Sequence, residues 1–203
     1  MTWAVFVSAW GLHLLAAASP GPAVLMAART GVTEGFRTGV WLAVGIGLGA
    51  LTWAVAALFG LALLFGIAPA LLWTFKIAGA LLLGWIALQM WLHAKEPLVM
   101  TAGATPRSAG SAFRLGLVTN LSNPKPALFF GAVFVNTVPP DTTWPWLAAL
   151  LAAVFLNELF CIVVVARLFS FDAPRRAYAR AKVGIDRTFG GLLAILGLKI
   201  ALT

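Results

Sequence analysis

The chain has 203 residues, of which 62% are hydrophobic and 10% charged, against roughly 25% charged in a soluble globular domain. A soluble fold of this length has too little polar surface to cover so many apolar side chains, so the composition is that of an integral membrane protein. The net charge of +8 does not point to nucleic acid, because the basic residues sit in short connections between apolar runs, where lysine and arginine set topology. The one cysteine, Cys161, excludes a disulfide framework or a Cys-x-x-Cys redox pair within the chain.

A membrane-spanning helix takes ~20 apolar residues. Six stretches qualify: 3–28, 38–65, 69–93, 113–138, 144–169 and 184–202. In the first, Ala16, Ala17, Ala18 and Ser19 have the small size of a signal-peptide cleavage site. However, no lysine or arginine precedes the apolar run and Pro20 stands where cleavage would fall, so the segment is expected to be retained as a helix. Its centre reads LAAASPGPAVLM, with two prolines and a glycine where they most disturb a helix. The second and third runs are joined by a tight turn at 66–69. Lys76, early in the third, is placed to snorkel to the outer surface. Residues 96–111, with Pro, Gly, Ser and Thr, read as a flexible loop between two halves. The fourth run opens with LSNPKPALFF, a second Pro-x-Pro site that carries a lysine. The fifth contains Asn157 and Glu158, the latter the one acidic residue well inside an apolar run.

The loop charges give an orientation. Arg29 and Arg37 lie in the first loop, Lys95, Arg107 and Arg114 in the third, and Arg167, Arg175, Arg176, Arg180, Lys182 and Arg187 in the fifth; the second and fourth have none. These odd loops are expected to be cytoplasmic and both termini outside. The expected fold class is therefore an all-α integral membrane protein with six transmembrane helices. It divides into a three-helix half at 1–93, a cytoplasmic loop at 94–112 and a second three-helix half at 113–203. At an offset of 104, Ser19-Pro20-Gly21-Pro22-Ala23 lies over Asn123-Pro124-Lys125-Pro126-Ala127. An odd number of helices per half makes the second half enter from the opposite face, the arrangement of two inverted repeats with broken first and fourth helices.

Each proline removes a backbone donor and clashes one turn back, so each Pro-x-Pro should open most of a turn. Freed carbonyls and amides in hydrocarbon cost several kcal/mol each unless satisfied, so such backbone belongs where protein packs it or a wet cavity reaches it. Pro22 and Pro126 suit the first turn of a restarted helix, whose positive end favours a carboxylate. A plain kink that shapes packing is the alternative. Two matching sites, one of them charged, favour a binding or gating role for Ser19, Pro20, Gly21, Pro22, Asn123, Pro124, Lys125 and Pro126.

Lys125 lies too deep to snorkel easily and needs a partner: Glu158, a carbonyl or a substrate carboxylate. A Lys125–Glu158 pair bridging the fourth and fifth helices is the favoured geometry. Glu158, beside Asn157, then serves as charge partner or clasp, or carries a coupling proton. His13 is a proton-carrier candidate, but a lone histidine on an apolar helix is more often simply packed. Gly31, Gly35, Gly39, Gly45 and Gly49 recur at helical spacing, which lets helices approach closely and would also serve a homodimer. Trp3, Trp10, Trp73, Trp91, Trp144 and Trp146 lie near predicted helix ends, as an interfacial belt requires. No phosphate-binding loop, His-Glu-x-x-His, Gly-x-Ser-x-Gly or metal cluster occurs in the sequence, so neither an enzyme nor a cofactor is expected.

SPGP in the first run, the glycine-spaced GVTEGFRTGVWLAVG, NPKPALFF in the fourth and DRTFGGLLAILGLKIAL at the end resemble the LysE/RhtB family of amino-acid exporters. The resemblance covers nearly the whole chain. It implies a bacterial inner-membrane secondary exporter, driven by the proton-motive force, that takes a small zwitterionic substrate. By motif it implies Pro20, Gly21, Pro22, Asn123, Pro124 and Lys125 as site elements. Pro126 stands where the family has a variable residue. The alternatives are an exporter of another solute or cation, although few acids lie in the membrane to bind one, and a non-transporting membrane scaffold.

Overall fold

The structure is a computed structural model and describes residues 1–61, 77, 80, 81, 84, 85, 87–96, 105–134 and 137–202. Most of the third predicted run, with Lys76 and Trp73, lies outside the described residues. The described elements are helical, with no strand among them. Thr2 caps α1 (Trp3–Ala18), its hydroxyl accepting from Val5 N. α1 ends where its sequence demands. Pro20 and Pro22 have no N–H to donate to the carbonyls of Ala16 and Ala18, so the ladder stops. The chain runs extended through Ser19 and Gly21, and α2 (Pro22–Thr33) restarts with Pro22 at its first position, bent 53° from α1. Glu34 and Gly35 turn the chain into α3 (Phe36–Val55); Gly35 has φ +87°, a conformation in which a β-carbon would be strained. α3 continues as a wide π-helical turn over Ala56–Leu61.

The second broken element has the same plan with a shifted restart. α4 (Ala109–Leu121), capped by Ser108, ends at Ser122; Asn123 then caps α5 (Pro124–Leu128), which runs on as a π-helical turn over Phe129–Phe134. The first helical residue is Pro124, so Pro126 lies in the first turn as expected but two residues in from its start. Asn123 explains the shift, because its Oδ1 accepts from Lys125 N at 3.0 Å and so fixes the cap two residues earlier. Both prolines tolerate the first turn, where N–H groups have no intrahelical acceptor. α6 (Trp144–Phe169) has the bounds read from the sequence. α7 (Asp172–Leu202) starts twelve residues before the predicted apolar run, because its basic first turns are helical without being apolar.

Phe36–Gly60 and Trp144–Phe169 are each long and apolar enough to cross a membrane, and the bent α1–α2 pair makes a third such span if taken as one. α3 is the central post, packed along α4 and α6, while α1 and α2 lie on α6. Glycine permits these approaches. A β-carbon on Gly45 would run into the Phe113 carbonyl, one on Gly116 into the Leu42 carbonyl, and one on Gly31 into Ala166. Leu42, Ile46, Leu150, Ile162, Phe130 and Phe134 are fully buried, whereas Trp3, Leu81, Trp144 and Phe160 face outward, as contact with lipid requires.

Candidate functional site

The break between α1 and α2 is the anchor of the site. Pro20 leaves the Ala16 carbonyl without its usual backbone donor, and Lys125 supplies one from α5. Its Nζ donates to Ala16 O at 3.0 Å, Ser19 O at 3.0 Å and Ser19 Oγ at 2.9 Å. Three donors meet three oxygens, so the ammonium is satisfied, and it sits at the negative end of α1. Ser19 Oγ in turn donates to Ala16 O at 2.8 Å. Gly21 makes room for this crossing, since a β-carbon there would stand 3.2 Å from Lys125 Nζ. α2 begins without a side-chain cap, so its first amides are open at the same break.

This arrangement corrects the expected Lys125–Glu158 ion pair. The carbonyls of the broken helix take the lysine, and Glu158 faces His13 instead, Oε1 lying 3.8 Å from Nε2. Lys125 and Glu158 still line one narrow cavity, of about 10 Å³ and so little more than water-sized, with His13, Ala16, Pro126, Phe129 and Phe130. It holds one cationic and one acidic side chain on an otherwise largely apolar wall. The His13 ring packs with Phe129 and Phe130 at centroid distances of 5.7 and 5.4 Å.

Asn157 lies one residue from Glu158 and bridges to α1. Trp10 Nε1 is a donor only, and it donates to Asn157 Oδ1 at 2.9 Å, which fixes the amide orientation. Asn157 Nδ2 then faces Trp10 O and His13 Nδ1, each at 3.3 Å. At the second break, the side-chain nitrogen of Asn123 and both polar atoms of Asn120 are buried without a hydrogen-bond partner. They hold donor and acceptor capacity beside Lys125's helix.

Of the residues singled out in the sequence, Ser19, Gly21 and Lys125 meet directly, and Pro126 and Glu158 line the same cavity. Pro20 and Pro22 shape the backbone without lining it; Pro22 is exposed, and Pro124 acts as the first residue of α5. Asn157 touches the site through His13. Sequence reasoning gave Ala16, Phe129 and Phe130 no site role, placed Trp10 in an interfacial belt, and weighed His13 as a proton carrier while favouring simple packing. The available signal was spacing: Trp10, His13 and Ala16 recur every three residues and share one face of α1. Among the described residues no cluster of side chains fits a metal ion.

Relatives extend over nearly the full length of this chain. It is 31% identical to the threonine efflux protein of Escherichia coli K12, across 98% of each chain. It is 32% identical to the uncharacterized membrane protein YahN of the same organism, across 94% of this chain and 86% of that one. With the leucine efflux protein of Enterobacter sp. strain 638 it shares 28%, across 96% and 90%. No solved structure matches it. Residues 14–203 match the family model described as LysE type translocator. This multi-pass membrane protein with a doubly broken helical core belongs to the LysE type translocator family.

Proposed function

We propose that this protein exports a small zwitterionic amino acid across a bacterial inner membrane, driven by the proton-motive force. The observation that carries the reading is the Lys125 crossing. One buried ammonium on the second broken helix holds the freed carbonyls of the first, beside a cavity with an acid on its far wall. A substrate carboxylate entering that cavity as it widens meets Lys125, and the substrate ammonium faces Glu158. Because all three donors of Lys125 are engaged, the carboxylate gains the lysine only by displacing a bond to Ala16 or Ser19. Binding therefore loosens the tie between the two broken helices, a differential contact of the kind needed to shift a conformational equilibrium. The efflux names of two relatives support the substrate class.

The architecture in this reading is six spans in two inverted three-helix halves, 1–93 and 113–203, joined by a cytoplasmic loop at 94–112, with both termini periplasmic. Rocking of one half against the other exposes the cavity to each side in turn. The matching breaks at Pro20-Gly21-Pro22 and Asn123-Pro124 support it. The test is efflux from cells loaded with amino acids by dipeptide feeding, wild type against Lys125→Met. Uncoupler-sensitive efflux of one or a few amino acids, reduced about tenfold or more in the variant at equal membrane abundance, is the expected result. Wild-type efflux in Lys125→Met would remove the lysine from the site, and no efflux from either protein would favour a scaffold.

A further inference from the structure

His13, Trp10 and Asn157 are not used by the reading above. The hydrogen bonds around them determine which atom carries the ring proton. Trp10 Nε1 donates to Asn157 Oδ1, so the Asn157 amide nitrogen is turned toward His13 Nδ1. Nδ1 must accept, and the proton of the neutral ring therefore sits on Nε2, the atom aimed at Glu158 Oε1. A second proton on Nδ1 would set two donors against each other and break the Asn157 contact. The ring is fixed in this orientation by Phe129 and Phe130. The 3.8 Å gap to Glu158 is longer than a hydrogen bond and is closed by a side-chain movement of less than an ångström or so. The other ionisable groups whose charge reaches this pair are Lys125 on α5 and Cys161, three residues beyond Glu158 on α6.

We infer that Glu158 is one site used in turn by a proton and by the substrate ammonium, with His13, held by Asn157 and Trp10, as a positioning residue that keeps a fixed N–H donor against its carboxylate. The inference rests on the exporter reading. Lys125 is committed to α1, so Glu158 is the cavity's free carboxylate and holds a cation or a proton, not both. In the cycle a proton arriving from outside binds a Glu158 oxygen, the substrate ammonium loses its partner, and the zwitterion leaves outward. After the cavity turns inward, the same proton passes to the cytoplasm as a new substrate ammonium takes the carboxylate. Each cycle moves one zwitterion out and one proton in, so it carries one positive charge inward and responds to membrane potential as well as to the pH gradient.

The experiment uses purified protein in detergent, with L-threonine and L-leucine as probes in weakly buffered solution, and follows binding and pH together. Wild type is expected to release about one proton per amino acid bound at acid pH, and its affinity to rise about tenfold per pH unit up to a plateau. Glu158→Gln should release no proton and bind with a flat pH profile. His13→Phe, which keeps the ring packing and removes the donor, should move the profile along the pH axis; a merely structural role would lower affinity without moving it. If wild type binds and exports either probe with no proton release, or if Glu158→Gln keeps the slope, the inference falls and the exporter reading stands. An unmoved His13→Phe profile removes His13 from the proposal. If wild type neither binds nor exports any amino acid, the exporter reading fails, and the inference with it.

Discussion

Gly21 shows how much depends on a missing side chain. It stands where the Lys125 stem passes to reach the α1 carbonyls, and a methyl group there would meet Nζ at 3.2 Å and Cε at 3.6 Å. The lysine end is flexible and gives way by a few tenths of an ångström, so the fold should tolerate the change. The ammonium, however, is displaced from oxygens set at 2.9 to 3.0 Å. Gly21→Ala is therefore expected to leave the unfolding midpoint unchanged and to slow export roughly 3- to 10-fold, because small misplacements at a binding group cost rate. Efflux assays beside a melting curve check this, and wild-type export would show that the crossing tolerates a shift. Lys125 itself was legible in the sequence as a buried charge in need of a partner, with a carbonyl among the candidates, but which carbonyls was not. Two of its three acceptors are backbone carbonyls of Ala16 and Ser19, which no side-chain pattern reveals. The Trp10–Asn157–His13 chain was hidden for another reason: it joins residues 144 to 147 apart, a contact set by how α1 lies on α6.

At the scale of elements, the helix ends follow local chemistry and the close approaches follow glycine. The bounds of α6 were readable because Pro145 at its start and a long apolar run, interrupted only at Asn157, Glu158 and Arg167, define both ends. The start of α7 was not, since hydropathy marks the part of a helix in lipid and not the whole helix. The positions of both breaks were legible from their prolines. The restart at Pro124 was not, because Asn123 and two prolines compete for one turn and only the Asn123 cap decides between them. The glycine spacing gave close packing, without saying which helix each glycine meets. Gly45 touches the Phe113 carbonyl and Gly116 the Leu42 carbonyl, so α3 and α4 interlock at reciprocal points. Gly45→Ala is expected to cost about 1–3 kcal/mol or more, since a backbone carbonyl is a rigid neighbour. Gly11→Ala, where a methyl group enters open space, should be neutral or slightly stabilising. Thermal unfolding of both variants in detergent is the comparison, and equal midpoints would contradict the interlock.

For the molecule as a whole, two further ties hold segments far apart in sequence. The Glu34 carboxylate, almost fully buried, accepts from Arg107 N at 2.9 Å and pairs with its guanidinium at 3.2 Å, fixing the entry to α4 against the α2–α3 corner. Glu34→Ala returns that exposed amide and half-exposed guanidinium to water, and is expected to destabilise the protein by about 1 kcal/mol. Cys161 provides the readout, because a buried single thiol reacts with a fluorogenic maleimide only on unfolding; an unchanged midpoint would show the tie to be decorative. Lys182 is the second tie, from α7 to the carbonyls of His93 and Ala94 and to Asp186. The Lys125 crossing also bears on biogenesis. Its acceptors precede it by 106 and 109 residues, so while the chain is being made, Ser19 already caps Ala16 O, but the Ser19 carbonyl and hydroxyl oxygens lack the lysine that donates to them. They stay so until α5 has been synthesised and has docked. The α1–α2 break is thus incomplete on its own, and the Ser19 carbonyl depends on another donor until the later half arrives.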